Sequence, residues 1–290
     1  MDKHAQRIEI FNETLSLLRQ GWDGLPSGRK VELPAADEVM GEAVMYREAC
    51  SLLIDPMVPV KTEVRVENKD CVLAARELIG KGYNPAMLNL ADLYTPGGLV
   101  EYGSGAQEEN LCRRSNLILS LYQFSAPRVR QYPDLDLACH EDQYPMDERF
   151  GGIYSGIVTF FRGPESTGSE LEEPVNIPVI SVAALSGPRI GPDGMMLQPE
   201  ADITLDKMRT IFRIGLLQGH DSLVLSAMGC GAFANPPAHI ARLFHQVMEE
   251  DEFKDKFRLI DFAILDGYRT GLHHNPEGNL KPFQKEFGAI

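Results

Sequence analysis

Apolar residues follow two recurring patterns along this chain, and each predicts one kind of element. Helical spacing predicts helices over residues 3–19, 44–53, 70–78, 106–122, 203–219 and from 236 onward. Short alternating or continuous apolar runs predict strands over residues 62–67, 85–90, 157–162, 176–184, 222–227 and 258–265. Because strands and helices take turns, the predicted fold class is α/β.

The chain is predicted to form a single domain, residues 1–290. It has no internal repeat, no low-complexity segment and no convincing linker. Residues 1–60 are interpreted as a helical N-terminal extension that serves packing, without chemistry of its own, and about 61–290 as the core. Polar segments rich in Pro and Gly predict loops up to residue 34, over 125–150 and 163–174, and in the tail. Lone His140 and Tyr144 are interpreted as surface or packing residues, and the pair His273–His274 as surface residues.

Charge restricts the ligands that this chain is expected to bind. The 290 residues carry a formal net charge of −14 with 43% hydrophobic content. That charge argues against direct binding to nucleic acid or to an anionic membrane. An anionic small ligand stays possible, because backbone N–H groups at helix starts bind phosphate without a positive net charge. No apolar run reaches membrane-spanning length, and the polar start does not resemble a signal peptide.

The cysteine pattern indicates a reducing compartment. The number of cysteines is odd, and none is arranged as C-x-x-C. We therefore expect neither a disulfide framework nor a zinc site, and a cytoplasmic location. The chain is separately expected to need no metal and no cofactor. The cysteines are Cys50, Cys71, Cys112, Cys139 and Cys230.

The first segment with candidate chemistry is PGGLVEYGSGAQEENLCRRS, residues 96–115. Ser104 followed by Gln107 predicts a capping box, which would place Glu108 and Glu109 in the first turns of a helix. Adjacent helical residues point about 100° apart, so the two carboxylates are expected to do different jobs, with at most one facing a site squarely. The simpler alternative is a solvated acidic first turn that the helix dipole favours.

A second glycine loop, MGCGAFANPP, joins the strand at 222–227 to the next helix. Glycines at a strand–loop–helix junction let backbone N–H groups approach a phosphate closely. The spacing matches neither the full dinucleotide fingerprint nor a Walker loop, so a tight connection that needs glycine is the alternative. Asn235 suits the N-cap and Pro236 the first helical position. Asn89, near a strand end, is either a satisfied core amide or a ligand contact.

Together the two loops resemble a known family. PGG, then eight residues, then QEE resembles the signature of bacterial-type poly(ADP-ribose) glycohydrolases, a catalytic branch of the macrodomain superfamily, and GCGAFANPP resembles that family's diphosphate loop. The resemblance covers about residues 62–265. It implies a three-layer α/β/α macrodomain-like fold with a mixed central sheet, which binds ADP-ribose at the strand ends.

The resemblance also implies roles for individual residues. Glu109 matches the catalytic acid, Glu108 its ribose-positioning partner, and Gln107 a residue that fixes the glutamate loop. Asn89 matches an asparagine that contacts the distal ribose. The catalytic loop contributes Gly97, Gly98 and Val100. The diphosphate loop comprises Gly229, Cys230, Gly231, Ala232 and Phe233, with Phe233 on a ribose.

Two features depart from the family pattern. Leu99 stands where a third glycine is usual, and its Cβ could restrict the backbone or crowd the ligand. Glu101 and Tyr102 add a charge and a ring where small residues are common. These departures leave open whether the substrate is a polymer or a single ADP-ribose on a protein side chain.

The implied reaction is hydrolysis of a glycosidic bond at the distal ribose, with the leaving group protonated by Glu109. Burial, the ligand phosphates and Glu108 would favour a protonated acid, whereas the helix N-terminus opposes it, and this tension stays open. The expected partners are ADP-ribose and ADP-ribosylated proteins or polymer, with the chain a monomer. The alternatives are a macrodomain that binds ADP-ribose without cleaving it and another nucleotide-processing α/β enzyme.

Overall fold

The computed structural model describes residues 2–20, 33–51, 59–139, 141–267 and 270–288. The chain has the expected mixed α/β fold with a mostly parallel central sheet. It divides into two compact units. The first unit comprises Met1–Met45, Ala91–Met146 and Ile153–Ser181, and the second comprises Tyr46–Leu90, Asp147–Gly152 and Val182–Ile290. The division into an extension and a core stays a prediction.

The residues that the structure describes form nine α-helices and nine strands. The helices are α1 Lys3–Gln20, α2 Ala36–Gly41, α3 Cys71–Gly80, α4 Gln107–Arg114, α5 Leu117–Tyr122, α6 Ala126–Gln131, α7 Gln198–Leu217, α8 Pro237–Met248 and α9 Leu280–Phe287. The strands are β1 Ala43–Tyr46, β2 Glu63–Glu67, β3 Pro85–Ala91, β4 Gly152–Ser155, β5 Thr159–Arg162, β6 Leu171–Asn176, β7 Val179–Ala183, β8 Ser222–Leu225 and β9 Leu259–Ala263. No helix among the described residues has the length and apolar character to cross a membrane.

In the first unit, β1, β4 and β7 lie side by side in that order. β4 and β7 are antiparallel, with Tyr154 opposite Ile180. A separate antiparallel pair, β5 and β6, places Phe160 opposite Val175. Phe161 on β5 is fully buried and packs against leucines that include Leu17 of α1. The unit therefore joins the N-terminal helix to this hairpin through apolar contacts.

In the second unit, β3, β8, β9 and β2 lie side by side and are parallel. Every residue of β8 and β9 is buried, as expected for strands covered on both faces. α8 and α9 pack together, and an aromatic cluster links them to β9. Ring centroids lie 5.3 Å apart for Phe244 and Phe262 and 5.2 Å apart for Phe262 and Phe283. Phe262 pairs with Leu225 at the carboxyl end of β8, so this cluster lies beside the start of the second glycine loop.

The helix predicted over 106–122 is two helices. Ser115 and Asn116 leave the helical conformation to pair with β5: Ser115 forms a β-bridge with Phe160, and the Asn116 Oδ1 accepts from the Thr159 N–H at 2.8 Å. The apolar residues keep helical spacing on both sides of the break, so the pattern does not reveal it. The long-range strand contact therefore overrides the local periodicity.

Other local predictions were wrong for related reasons. The segment predicted as a helix over 44–53 contains strand β1, while residues 52–53 lie outside the described residues. The predicted loops contain α6 and β6, and the polar tail contains α9. These elements present half of their surface to water or are very short, so their apolar pattern is weak. The Gly/Pro-rich segment at 21–32 and His140 also lie outside the described residues.

Candidate active site

The loop between β3 and the start of α4 is folded back by an Asp turn and two glycines. The Asp92 Oδ1 accepts from the N–H groups of Tyr94 and Thr95 at 2.9 and 2.8 Å. Gly97 and Gly98 then adopt φ angles of 75° and 57°. This left-handed region favours glycine because a Cβ would clash with the backbone. The turn brings loop N–H groups to the carboxylates at the start of α4.

Both glutamates at the start of α4 point at this loop, but they are bonded differently. The Glu108 Oε2 accepts from the Asp92 N–H at 2.8 Å, and its Oε1 accepts from the Gly97 N–H at 3.3 Å. The Glu109 Oε1 accepts from the Leu99 N–H at 3.0 Å. The Glu109 Oε2 is buried and has no hydrogen-bond partner among the described residues. Both carboxylates thus contact the glycine loop, and they differ in their hydrogen bonds. Their different jobs, and which of them faces a substrate, stay predictions.

Gly98 allows the loop backbone to touch the acid pair. A Cβ built on this residue would lie 2.5 Å from the Glu109 Oε1 and 3.3 Å from the Glu108 Oε2. The first distance is far shorter than a van der Waals contact, and the clash would displace a carboxyl whose place is fixed by the loop. Gly98 is therefore required here both by its φ angle and by the proximity of Glu109.

The capping box predicted from Ser104 and Gln107 was wrong. α4 begins at Gln107, its N-cap is Ala106, and no side chain caps it. Gly103, at φ 72°, ends a short 3-10 helix over Val100–Tyr102, which precedes α4. The Ser104 carbonyl instead accepts from the Arg113 Nη1 at 2.7 Å.

The structure accommodates both departures from the family pattern. Leu99 has a φ of −103°, which any residue adopts, and its side chain points outward with 54% exposure. The backbone there does not need glycine. The Glu101 carboxylate accepts hydrogen bonds from the Arg128 Nη1 at 2.7 Å and from the Tyr132 hydroxyl. Its charge is therefore paired within the protein, whereas the Tyr102 side chain is 69% exposed.

Val100 and Gln107, the other two residues predicted to bind substrate in this segment, lie before and at the start of α4. The Val100 side chain is fully buried, and its N–H donates to the Gly97 carbonyl at 3.3 Å. Gln107 is the first residue of α4 and is half-buried. Neither position tests a contact with substrate, so their roles in binding stay predictions.

The second glycine loop is tied together by Asn235. Its Nδ2 donates to the carbonyls of Leu185 at 2.7 Å, Gly229 at 3.1 Å and Phe233 at 3.2 Å. A Cβ on Gly229, which has a φ of 73°, would lie 2.4 Å from this Nδ2. α8 begins one residue later than predicted, with Pro236 as its N-cap and Pro237 as its first residue. The prediction that Asn235 is the N-cap was wrong.

The tip of this loop presents free backbone donors. None of the described groups accepts from the N–H groups of Gly231, Ala232 and Phe233. A Cβ on Gly231 would meet nothing within 4 Å. Neither the backbone nor the packing of the protein therefore requires glycine there, and the missing Cβ leaves open space beside the free donors. Consecutive free N–H groups of this kind form a concave site for anions.

Cys230 lies beneath the tip and is fully buried. Burial raises the pKa of its thiol far above the usual range. Its carbonyl accepts from the His274 Nε2 at 2.9 Å and from the Asn275 Nδ2 at 3.2 Å. The prediction that both tail histidines are surface residues was wrong for His274, which is half-buried, while His273 is exposed.

Two further polar residues have distinctive surroundings. Asn89 is fully buried in β3, and its contact with a ribose stays a prediction. The Tyr144 hydroxyl is buried without a hydrogen-bond partner among the described residues, although its ring is partly exposed. Burial raises the pKa of this hydroxyl well above its usual range, and the charges of Glu108 and Asp92 add to the effect. The sequence predicts a surface or packing residue at position 144.

The predicted site residues thus fall into two sets. Gly97, Gly98, Val100, Gln107, Glu108 and Glu109 lie together in the first unit. Asn89, Gly229, Cys230, Gly231, Ala232 and Phe233 belong to the second unit. Among the described residues, no three His, Cys, Asp or Glu side chains are grouped so that they could hold a metal ion.

Comparison with solved structures finds strong similarity to two bacterial enzymes. The poly(ADP-ribose) glycohydrolase of Thermomonospora curvata is 27% identical with a TM-score of 0.74, covering 97% of this chain and 99% of that one. A structure of the same enzyme with the inhibitor ADP-HPD bound is 26% identical, also with a TM-score of 0.74, covering 97% and 99%. The Deinococcus radiodurans enzyme in complex with ADP-ribose is 26% identical with a TM-score of 0.65, covering 89% and 99%.

Comparison with curated protein sequences gives no match. The family model for the microbial-type PARG catalytic domain matches residues 12–163, just over half of the 290 residues. That span includes the glycine loop and both glutamates at the start of α4. The chain therefore belongs to the family of microbial-type poly(ADP-ribose) glycohydrolase (PARG) catalytic domains.

Proposed function

We infer that this protein is a poly(ADP-ribose) glycohydrolase, which hydrolyses the glycosidic bond at the distal ribose C1″ and releases ADP-ribose. Membership of the PARG family and the similarity to two bacterial PARG structures support this activity. The observation that carries the assignment of the acid is the bonding of Glu109. One oxygen is fixed by the Leu99 N–H, and the other is buried without a partner among the described residues.

In the proposed first step, Glu109 gives its proton to the oxygen that leaves the distal ribose. The bond between C1″ and that oxygen breaks, and the ribose passes through an oxocarbenium-like state. A carboxyl with one anchored oxygen and one free oxygen suits this step, because the anchored oxygen sets the direction of the other. The Leu99 N–H supplies that anchor.

In the proposed second step, water attacks C1″ and gives its proton to the same carboxylate. Glu109 is thereby returned to its protonated form, and free ADP-ribose is the product. Atoms balance with one water consumed for each bond that is cut.

Glu108 is proposed as a positioning group for the ribose and the loop. Both of its oxygens accept backbone N–H groups of the glycine loop. These bonds hold the loop against α4 and leave the carboxylate as an acceptor toward ribose hydroxyls. Gln107, Val100, Gly97 and Gly98 belong to the same substrate-binding segment in this proposal.

The loop Gly229–Phe233 is proposed to bind the diphosphate of ADP-ribose. The free N–H groups of Gly231, Ala232 and Phe233 support this role, since such donors stabilise an anion without a charged side chain. Asn235 keeps the loop in shape. Phe233 is proposed to pack on a ribose, and the amide of Asn89 to contact the distal ribose.

Product analysis tests this function. Purified protein is incubated with poly(ADP-ribose) and, separately, with peptides that carry one ADP-ribose on arginine or on an acidic side chain. Free ADP-ribose is then measured by chromatography, with Glu109→Gln prepared in the same way as control. We expect release from the polymer by the wild type. Binding of polymer without any release would instead support a non-catalytic ADP-ribose reader.

The same panel resolves the open questions about the substrate. Release from a singly modified peptide would add that linkage to the substrates. Calorimetry with ADP-ribose, NAD and ATP separates the glycohydrolase from another nucleotide-processing enzyme, because only ADP-ribose is expected to bind tightly. We further propose that the protein is a cytoplasmic monomer, which cell fractionation and sedimentation would test.

A further inference from the structure

The N-terminal helix α1 packs closely against the segment Gly103–Gly105, which joins the 3-10 helix Val100–Tyr102 to α4. A Cβ on Gly103 would lie 2.4 Å from the carbonyl oxygen of His4. A Cβ on Gly105 would lie 2.4 Å from the Arg7 Nη1. The first turns of α1 thus occupy the space where side chains at these two positions would be. Both glycines lie within six residues of Glu109 along the chain.

Arg7 of α1 lies between this segment and Glu165. Its guanidinium lies in a buried position, and its Nε and Nη2 donate to the two carboxylate oxygens of Glu165, each at 2.9 Å. Its Nη1 lies 3.5 Å from the Gly103 carbonyl. Two parallel charge-assisted bonds fix the plane of the guanidinium, which a lysine could not reproduce.

A second tie joins α1 to α4. The Thr14 hydroxyl donates to the Arg113 carbonyl at 2.6 Å, and the Arg113 Nη1 donates to the Ser104 carbonyl at 2.7 Å. Arg113 lies one helical turn after Glu109, on the same face of α4. Helix α1 therefore contacts the glutamate segment on both sides: through Arg7 before the acid pair and through Thr14 after it.

These contacts lie partly outside the matched family region, which begins at residue 12. The sequence pattern alone had indicated a packing extension without chemistry. We propose that Arg7 is a positioning residue, which holds the Gly103–Gly105 segment and so aims the Glu108–Glu109 pair at the substrate. This inference rests on the proposed function of that pair.

The first test separates positioning from binding and folding. We expect Arg7→Ala to lower kcat on poly(ADP-ribose) at least about tenfold, because small displacements of a catalytic group are costly. KM and the affinity for ADP-ribose are expected to stay near the wild-type values. Arg19→Ala is the matched control: it lies on the same helix, and its Nη2 is 3.9 Å from the Asp134 Oδ2. This control is expected to keep the wild-type kcat.

Two readouts identify the guanidinium itself. Guanidinium ion added at millimolar concentration is expected to restore part of the kcat of Arg7→Ala, but not to raise that of Arg19→Ala. Arg7→Lys, which keeps the charge and loses the fork, is expected to resemble Arg7→Ala. Gly105→Ala should lower kcat in the wild type and have little further effect in Arg7→Ala, because the clashing group is gone.

The outcomes are distinguishable. A wild type that releases no ADP-ribose would contradict the proposed function. An active wild type with unchanged kcat in Arg7→Ala would overturn the positioning role alone. If Arg7→Ala does not fold, Arg7→Lys is measured in its place. A folded Arg7→Lys with wild-type kcat, or independent effects of Gly105→Ala and the Arg7 variant, would overturn the role as well.

Discussion

At the scale of single residues, the glycine loop leaves no room for a methyl group beside Glu109. We predict that Gly98→Ala strongly lowers kcat on poly(ADP-ribose), since its Cβ would lie 2.5 Å from the Glu109 Oε1. The variant is expected to stay folded, with a smaller free energy of unfolding. Steady-state kinetics and urea unfolding measure the two effects. Gly82→Ala is the control: Gly82 also has a positive φ, 78°, but a Cβ there meets nothing within 4 Å.

For Gly82→Ala we expect only the backbone strain of the left-handed region, about 1 to 2 kcal/mol, and wild-type kcat. Equal losses of kcat in the two variants would contradict the claim that Gly98 acts through the acid pair.

Some functional residues can be predicted from the sequence because the motif that marks them is short and continuous. Glu108 and Glu109 stand next to a glycine turn within one short motif. Asn235 and His274 were misread because the carbonyls that they bond belong partly to residues far away in sequence, Leu185 and Cys230. A single sequence does not show which distant carbonyl needs a donor.

At the scale of elements, the loop between β8 and α8 depends on one amide. We predict that Asn235→Ala weakens binding of ADP-ribose and lowers the free energy of unfolding by about 1 to 3 kcal/mol, because carbonyl groups in the loop lose their donor. Calorimetry and urea unfolding measure these quantities.

Asn84→Ala is the matched control, since the Asn84 Nδ2 donates to one carbonyl, that of Gly219, at 3.1 Å in an exposed position. It should leave the affinity for ADP-ribose unchanged. Wild-type affinity in a folded Asn235→Ala would contradict a role of this loop in binding.

The same scale shows which elements the periodicity could predict. Local spacing of apolar residues predicts the long helices α1 and α7 and the buried strands β3, β8 and β9. In these elements one or both faces are buried, and burial requires apolar residues at regular positions. The break at Ser115 and Asn116 follows from contacts with β5. Strand β6 also depends on such pairing, and its residues are only partly buried.

At the scale of the whole molecule, Asp261 makes stability depend on pH. Burial in β9 raises the pKa of its carboxyl to about 6, with the charge of Glu67 adding to the shift and those of Lys69 and Arg65 opposing it. The folded state therefore binds more protons than the unfolded state between about pH 4 and 6. Stability contributed by this residue falls as the pH rises through that window.

We predict that Asp261→Asn raises the free energy of unfolding at pH 7.5 by about 2 to 3 kcal/mol and changes it little at pH 4. Urea unfolding at both pH values measures the difference. Asp251→Asn, an exposed control, should show no such dependence. A variant equally stabilised at both pH values would show that the effect is not due to ionisation of Asp261.

The most direct test of the central claim is the single-turnover rate of ADP-ribose release from poly(ADP-ribose) by Glu109→Gln. An amide keeps the shape and the bond from the Leu99 N–H, but it has no proton to give. The account predicts a loss of about a thousandfold in this rate, with ADP-ribose bound as tightly as by the wild type. Release near the wild-type rate from a variant that still binds ADP-ribose would contradict the role of Glu109 as the acid.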